Sequence, residues 1–182
     1  ERVPQGAEPP GARFEVDIGT ARPVQLFVPA GLRLSGTVPL LVHFHGAAHV
    51  PEHAVVESGG GYVTATVNAG VGTGAYDHAF RDPAVFDSLL ARIERQLRSA
   101  AGTEVTPEPI VLSAFSAGHG AVRALVREPR HFARIDAALL LDGIHTSYVP
   151  ERQVLHEGGQ LDTTALLPWV QLARAAIDGE KA

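Results

Sequence analysis

Three stretches of this chain put reactive side chains where a backbone turn could use them. Ala114-Phe115-Ser116-Ala117-Gly118 follows an apolar run and precedes a helical pattern. A serine in a strand-to-helix turn takes a strained backbone conformation, and small residues two before and two after it let strand and helix approach. Ala114 and Gly118 fill those two places. Such a turn lifts the hydroxyl clear of a sheet and puts the Ala117 N–H at a helix start, where developing negative charge is favoured. The chemistry implied is nucleophilic attack on a carbonyl. The plainer reading makes Ser116 a simple helix cap.

The second stretch is His43-Phe44-His45-Gly46-Ala47, at the end of another apolar run. Acyl transfer needs a second N–H aimed at the oxyanion, and a glycine after a strand lets the chain turn so that the next amide points inward. Gly46 and Ala47 would supply turn and donor. His43 and His45 share one face of an extended strand, and His49 and His53 follow at helical spacing, with Glu52 the nearest carboxylate in sequence. A metal-dependent hydrolase is therefore a rival reading. Histidine clusters within one chain more often pack or hydrogen-bond than ligate, so no metal and no cofactor is assigned.

The third group is scattered. Asp142 ends an apolar run, where a carboxylate can orient an imidazole; before Gly143 it also fits an ordinary turn. His145 follows three residues later and His156 sits in the glycine-rich stretch LHEGGQ. The loop 69–81, AGVGTGAYDHAFR, is glycine-rich and long, so Tyr76 and His78 are candidates to line a substrate pocket together with His45. His119 is expected to pack around the helix that follows Ser116.

The elements that would position these groups read clearly. Residues 13–18 and 23–28 alternate apolar and polar around Gly19-Thr20, which predicts a hairpin. Residues 38–46, 61–69, 109–114 and Ile135–Leu141 are short apolar or β-branched runs, as expected of strands covered on both faces. Pro83–Ala101 carries Val85, Leu89, Ile93 and Leu97 at steps of four behind Asp82 and Pro83, which predicts an amphipathic helix; residues 117–127 predict another. A helical pattern over 163–180 is interrupted at Pro168. Strands alternating with helices predict a mostly parallel sheet with helices on both faces, entered by an antiparallel N-terminal hairpin.

Composition bounds the remainder. The chain of 182 residues suits one domain, 1–182, with a flexible Pro/Gly-rich lead over 1–12. Hydrophobic residues make up 45% and charged residues 19%, with a net charge of −5, as in an ordinary soluble protein. No basic cluster exists to hold phosphates, so nucleic acid is not expected as a partner. The absence of cysteine excludes disulfides, a thiolate nucleophile and thiolate-bound metal. No run is long and apolar enough to span a bilayer. The processed-looking start leaves secretion or a periplasmic address open, and oligomeric state is unassigned.

Together the serine turn and the His45-Gly46 turn resemble the α/β-hydrolase superfamily, in its secreted-esterase and carboxylesterase-like branches, over residues 38 to about 141. Ala114 stands where that family usually has the first glycine of G-x-S-x-G, a mild departure because small size is what the turn requires. The resemblance implies an α/β-hydrolase-like three-layer sandwich and a serine esterase acting on a small-molecule or acyl-ester substrate. Ser116 would be its nucleophile, the Ala117 and Ala47 amides its oxyanion donors, and Asp142 its triad acid. It places the general-base histidine after the last strand of the sheet, beyond Ala182. If residues 1–182 are the whole chain, His145 and His156 are the candidates by order. A non-catalytic binding protein of the same fold is the alternative.

Overall fold

The computed structural model describes residues 8–182. Most of the predicted lead, residues 1–7, lies outside them, and its end comes earlier than expected. Strand β1, Gly11–Val16, already includes Gly11, which lies so close to the Phe27 ring and the Val28 carbonyl that a side chain there would overlap both. β1 pairs antiparallel with β2, Val24–Pro29, in unbroken register from Gly11 opposite Pro29 to Val16 opposite Val24. This is the hairpin that the alternation predicts.

The inner strands are β3 (Gly36–Phe44), β4 (Val63–Val67), β5 (Val105–Phe115) and β6 (Ile135–Leu141), and the six-stranded sheet runs in the order β1-β2-β4-β3-β5-β6. β4, β3, β5 and β6 are mutually parallel. All five residues of β4 are buried, and so are Leu40, Val42, His43 and Phe44 of β3, which is why these segments read as continuous apolar runs rather than alternating ones. β6 forms the far edge. Ala182 pairs with it in parallel fashion, donating to the Asp136 carbonyl and accepting from the Ala138 N–H.

Helix α1, His49–Glu57, carries the chain from β3 to β4. Helices α2 (Thr73–Arg81) and α3 (Pro83–Ala101) carry it back across to β5, and α4 (His119–Arg127) with the short α5 (Pro129–Arg134) leads on to β6. Because the first crossover and the later ones run in opposite directions, right-handed connections put α1 on one face and α3 and α4 on the other. α3 shows the expected signals: the Asp82 carboxylate accepts from the Ala84 N–H at 2.9 Å, Gly102 stops the helix at φ 67°, and Phe86, Leu89, Leu90, Ile93 and Leu97 are buried.

Two predicted features need correction. Residues 69–81 are not a loop throughout; a helix occupies Thr73–Arg81 because Tyr76 and Phe80, four apart, both bury fully on one side. Pro168 does not break a helix but opens one: α6, Leu167–Ile177, has it in the first turn, where a missing N–H costs nothing. A two-stranded ribbon of β7 (Tyr148–Val149) and β8 (Gln160–Leu161) lies between β6 and α6.

Candidate active site

In an open α/β sheet, ligands sit outside the carboxyl ends of the strands where the winding reverses. Here the reversal falls between β3, whose chain leaves toward β4, and its neighbour β5, whose chain leaves toward β6. The turns after those two strands are 45–47 and 116–118, the two stretches singled out by their chemistry.

Ser116 has φ 44°, in the left-handed region, between Phe115 in extended conformation and a single 3-10 turn over Ser116–Gly118 that runs into α4. A non-glycine residue rarely sits there unless its surroundings impose it. Gly118 supplies the constraint: a methyl group at its Cα would overlap the Phe44 carbonyl oxygen and lie 2.7 Å from the Phe44 carbonyl carbon. The end of the turn, where α4 begins, is thus pressed against the end of β3. Gly120 faces another element: a methyl group at its Cα would lie 2.9 Å from Thr73 Cγ2 and 3.1 Å from the Asp77 nitrogen, so it lets α4 approach α2 rather than the sheet. Ser116 is half-buried and Ala117 beside it has its N–H in the first turn, where helical amides lack intrahelical acceptors.

At the facing turn β3 ends at Phe44, and His45 swings to φ 73° before Gly46 at φ 129°. The expectation that His43 and His45 share one strand face therefore fails. His43 stays inside, its Nε2–H donating to the His45 carbonyl at 3.0 Å and its Nδ1 lying 2.7 Å from Ser113 Oγ. His45 turns away, sharing a 2.8 Å hydrogen bond between its Nδ1 and the buried Tyr76 hydroxyl and stacking on Phe115 at 6.3 Å. His49 and His53 touch only edge to face, and Glu52 is bound by Arg13. Among the described residues no three His, Asp or Glu side chains converge as metal ligands would. Of the rival metal reading's four histidines, His43 and His45 point to separate places, and His49 and His53 meet only each other.

Asn68, just past β4, grips the same turn from both sides: its Nδ2 donates to the Gly46 carbonyl at 2.9 Å and its Oδ1 accepts from the Gly46 N–H at 3.1 Å. Gly46 is thus the bend, and Ala47, exposed, carries the next N–H with no acceptor among the described residues. A cleft of about 530 Å³ opens beside this turn, lined by Arg22, Gln25, His45, Ala47 and Asn68 among others.

Electrostatics favour neutral groups at this end. Burial lowers the His43 pKa below its ordinary value, against a raising hydrogen bond to His45. Burial likewise lowers that of His119, whose Nδ1–H donates to the Ser116 carbonyl at 2.8 Å, and raises the Tyr76 hydroxyl. His119 packs as expected, against the rings of His145 at 5.0 Å and Trp169 at 6.4 Å.

Acid and base candidates are less well joined. Asp142 follows Leu141, the residue paired with Phe115, so it does end the strand beside the serine turn, at φ 53° and exposed. His145 directs its Nε2–H to the Asp142 backbone carbonyl at 2.8 Å, while the carboxylate is 3.8 Å away. His156 is exposed with only Glu157 in reach at 4.0 Å, and His78 is exposed on α2. No histidine hydrogen-bonds the Ser116 hydroxyl among the described residues. Sequence reasoning overlooked Asn68 and Ser113. A carboxamide closing a β-branched strand next to the turn was the available signal for the first; Ser113 offered none.

No protein-family model matches the sequence, and no curated protein matches it. Solved structures with a similar backbone course include poly(aspartic acid) hydrolase-1 from Sphingomonas sp. KT-1, 21% identical with TM-score 0.49 over 72% of this chain and 56% of that one. An esterase from Rhizomucor miehei is 12% identical with TM-score 0.47 over 75% and 46% of the two chains, and Thermogutta terrifontis esterase 2 is 16% identical with TM-score 0.45 over 76% and 58%. The chain spans about half the length of these structures.

Proposed function

We propose that this chain is the nucleophile-bearing part of an α/β-hydrolase-like serine esterase. Ser116 Oγ attacks the carbonyl of an ester or related acyl compound while the N–H groups of Ala117 and Ala47 hold the oxyanion. The ester C–O bond breaks, the alcohol leaves with the serine's proton, and water then cleaves the acyl-serine to release the acid and restore the hydroxyl. The observation that carries this reading is the left-handed, half-exposed Ser116 pinned by Gly118 against the end of β3, beside a turn whose Ala47 amide is free. A capping serine within a regular helix start would need no such strain.

The proton from Ser116 needs a base. By chain order His145 is a candidate: its Nδ1 has no partner among the described residues, and its ring packs on His119, which touches the serine's own carbonyl. Asp142 is the proposed acid, with its carboxylate 3.8 Å from His145 Nε2. The alternative is a binding protein that retains the fold without turnover.

Labelling with a fluorophosphonate and mapping the adduct by mass spectrometry separates the two. The esterase reading expects one adduct, on Ser116, lost in Ser116→Ala and slowed in His145→Ala but not in His156→Ala. Absence of any adduct on Ser116 in a folded chain that includes its natural C-terminus favours the binder.

A further inference from the structure

We infer that His43 and Asn68 together clamp the turn 45–47 in the shape that delivers the Ala47 N–H, with the Ser113 hydroxyl partnering the ring nitrogen of His43 that does not reach the turn. The inference rests on the proposed esterase reading and adds positioning residues that touch no substrate.

Two successive residues, His45 and Gly46, have positive φ, a pairing that an unsupported chain would abandon. Each of their backbone groups is tied. The His45 N–H donates to the Val67 carbonyl at 3.1 Å and the His45 carbonyl accepts from His43 Nε2–H at 3.0 Å. The Gly46 N–H and carbonyl are both taken by the Asn68 carboxamide, at 3.1 and 2.9 Å. The next amide, that of Ala47, is the first left over. Its direction is set by peptide planes whose oxygens and hydrogens already have partners, so it costs no reorganisation when charge develops nearby.

His43 is an expensive residue to bury in the middle of a sheet. It is 4% exposed, paired in register with Ser113, among positions otherwise occupied by Leu40, Val42 and Phe44. An aliphatic residue would satisfy the core, whereas only a side chain of this reach carries a donor forward to the carbonyl two residues on. The His45 carbonyl accepts only, so Nε2 must bear the proton; Nδ1 of the neutral ring then accepts, and the Ser113 hydroxyl at 2.7 Å donates to it. The same ring lies 3.6 Å from where a side chain would stand at Gly46, closing the inner side of the bend.

The test uses fluorophosphonate labelling of Ser116 under saturating conditions, which separates the rate constant of reaction from the affinity for the probe, with thermal unfolding recorded for each variant. His43→Leu is expected to lower the reaction rate constant about 100-fold, the scale of losing one oxyanion donor, with probe affinity changed less than about 3-fold. His43→Gln, which keeps an N–H donor, is expected to recover about 10-fold of that loss. Asn68→Asp keeps the acceptor for Gly46 N–H but turns a carboxylate on the Gly46 carbonyl, and is expected to slow reaction similarly. It also serves if His43→Leu does not fold. Nitrogen NMR of wild-type His43 is expected to show the Nε2–H tautomer, and Ser113→Ala is expected to keep it because the His45 carbonyl still accepts that proton.

A folded His43→Leu or Asn68→Asp that labels at the wild-type rate overturns the clamp and leaves the esterase reading standing, as does a His43 protonated on Nδ1. A wild type that never labels Ser116 overturns both together.

Discussion

Replacing Gly118 with alanine tests whether the contact between the serine turn and β3 sets the geometry of the site. The added methyl would overlap the Phe44 carbonyl oxygen and stand 2.7 Å from its carbon, where ordinary contact begins near 3.4 Å. The oxygen lies nearer still, so turn and strand must part by about 1 Å or more, and both sides of the contact are backbone, which cannot simply rotate away. Overpacking of this kind costs about 1–3 kcal/mol. In a domain of this size each kcal/mol lowers the melting temperature by about 2–4 °C, so a drop of about 5 °C is expected. The effect on chemistry should be larger, because a misplacement near 1 Å costs about 100-fold in rate. Gly11→Ala is the matched control: its methyl meets the Phe27 ring and the Val28 carbonyl in the edge hairpin, away from the serine. Calorimetry and Ser116 labelling are measured on both variants. The expected result is loss of stability in both, with a roughly 100-fold slower labelling in Gly118→Ala alone. Gly118→Ala that labels as fast as wild type would refute the claim that this contact positions the nucleophile.

Acid should destabilise the fold through its buried histidines. His43 and His119 both have pKa values lowered below 6.5, chiefly by burial, so the unfolded chain takes up protons that the folded one refuses. Their contribution is present above pH 6.5 and is lost as pH falls from there through the lowered values. Urea midpoints measured from pH 7.5 to 5 should decline, and His119→Gln should flatten the decline; a pH-independent midpoint would count against it. Arg13→Met should cost about 2 kcal/mol, because the Glu52 carboxylate, 6% exposed, loses both of its guanidinium hydrogen bonds, while Arg13 itself is a third exposed and softens the loss. Arg13→Met combined with Glu52→Gln should recover most of it, and equal midpoints for single and double variants would show that the pair is not what matters.

What the sequence determined alone is what local chemistry can encode. Continuous apolar runs mark β3, β4 and β5 as interior strands, steps of four mark Pro83–Ala101, and the small residues around Ser116 mark a turn too tight for a Cβ at Gly118. Each is a property of neighbouring residues, and each is found in the structure. The glycines at 70, 72 and 74 concealed α2, since their flexibility outweighed a single apolar pair, Tyr76 and Phe80, that only the core could reward. The candidate site's supporting hydrogen bonds were decided by the tertiary structure. Ser113 meets His43 across 70 positions and Asn68 meets Gly46 across 22, because parallel register brings strand ends together irrespective of chain distance. His43 and His45 show the reason most directly. Strand alternation would put them on one face, but a single backbone rotation at residue 45, held by partners from β4 and β5, sends one ring into the core and the other toward Tyr76.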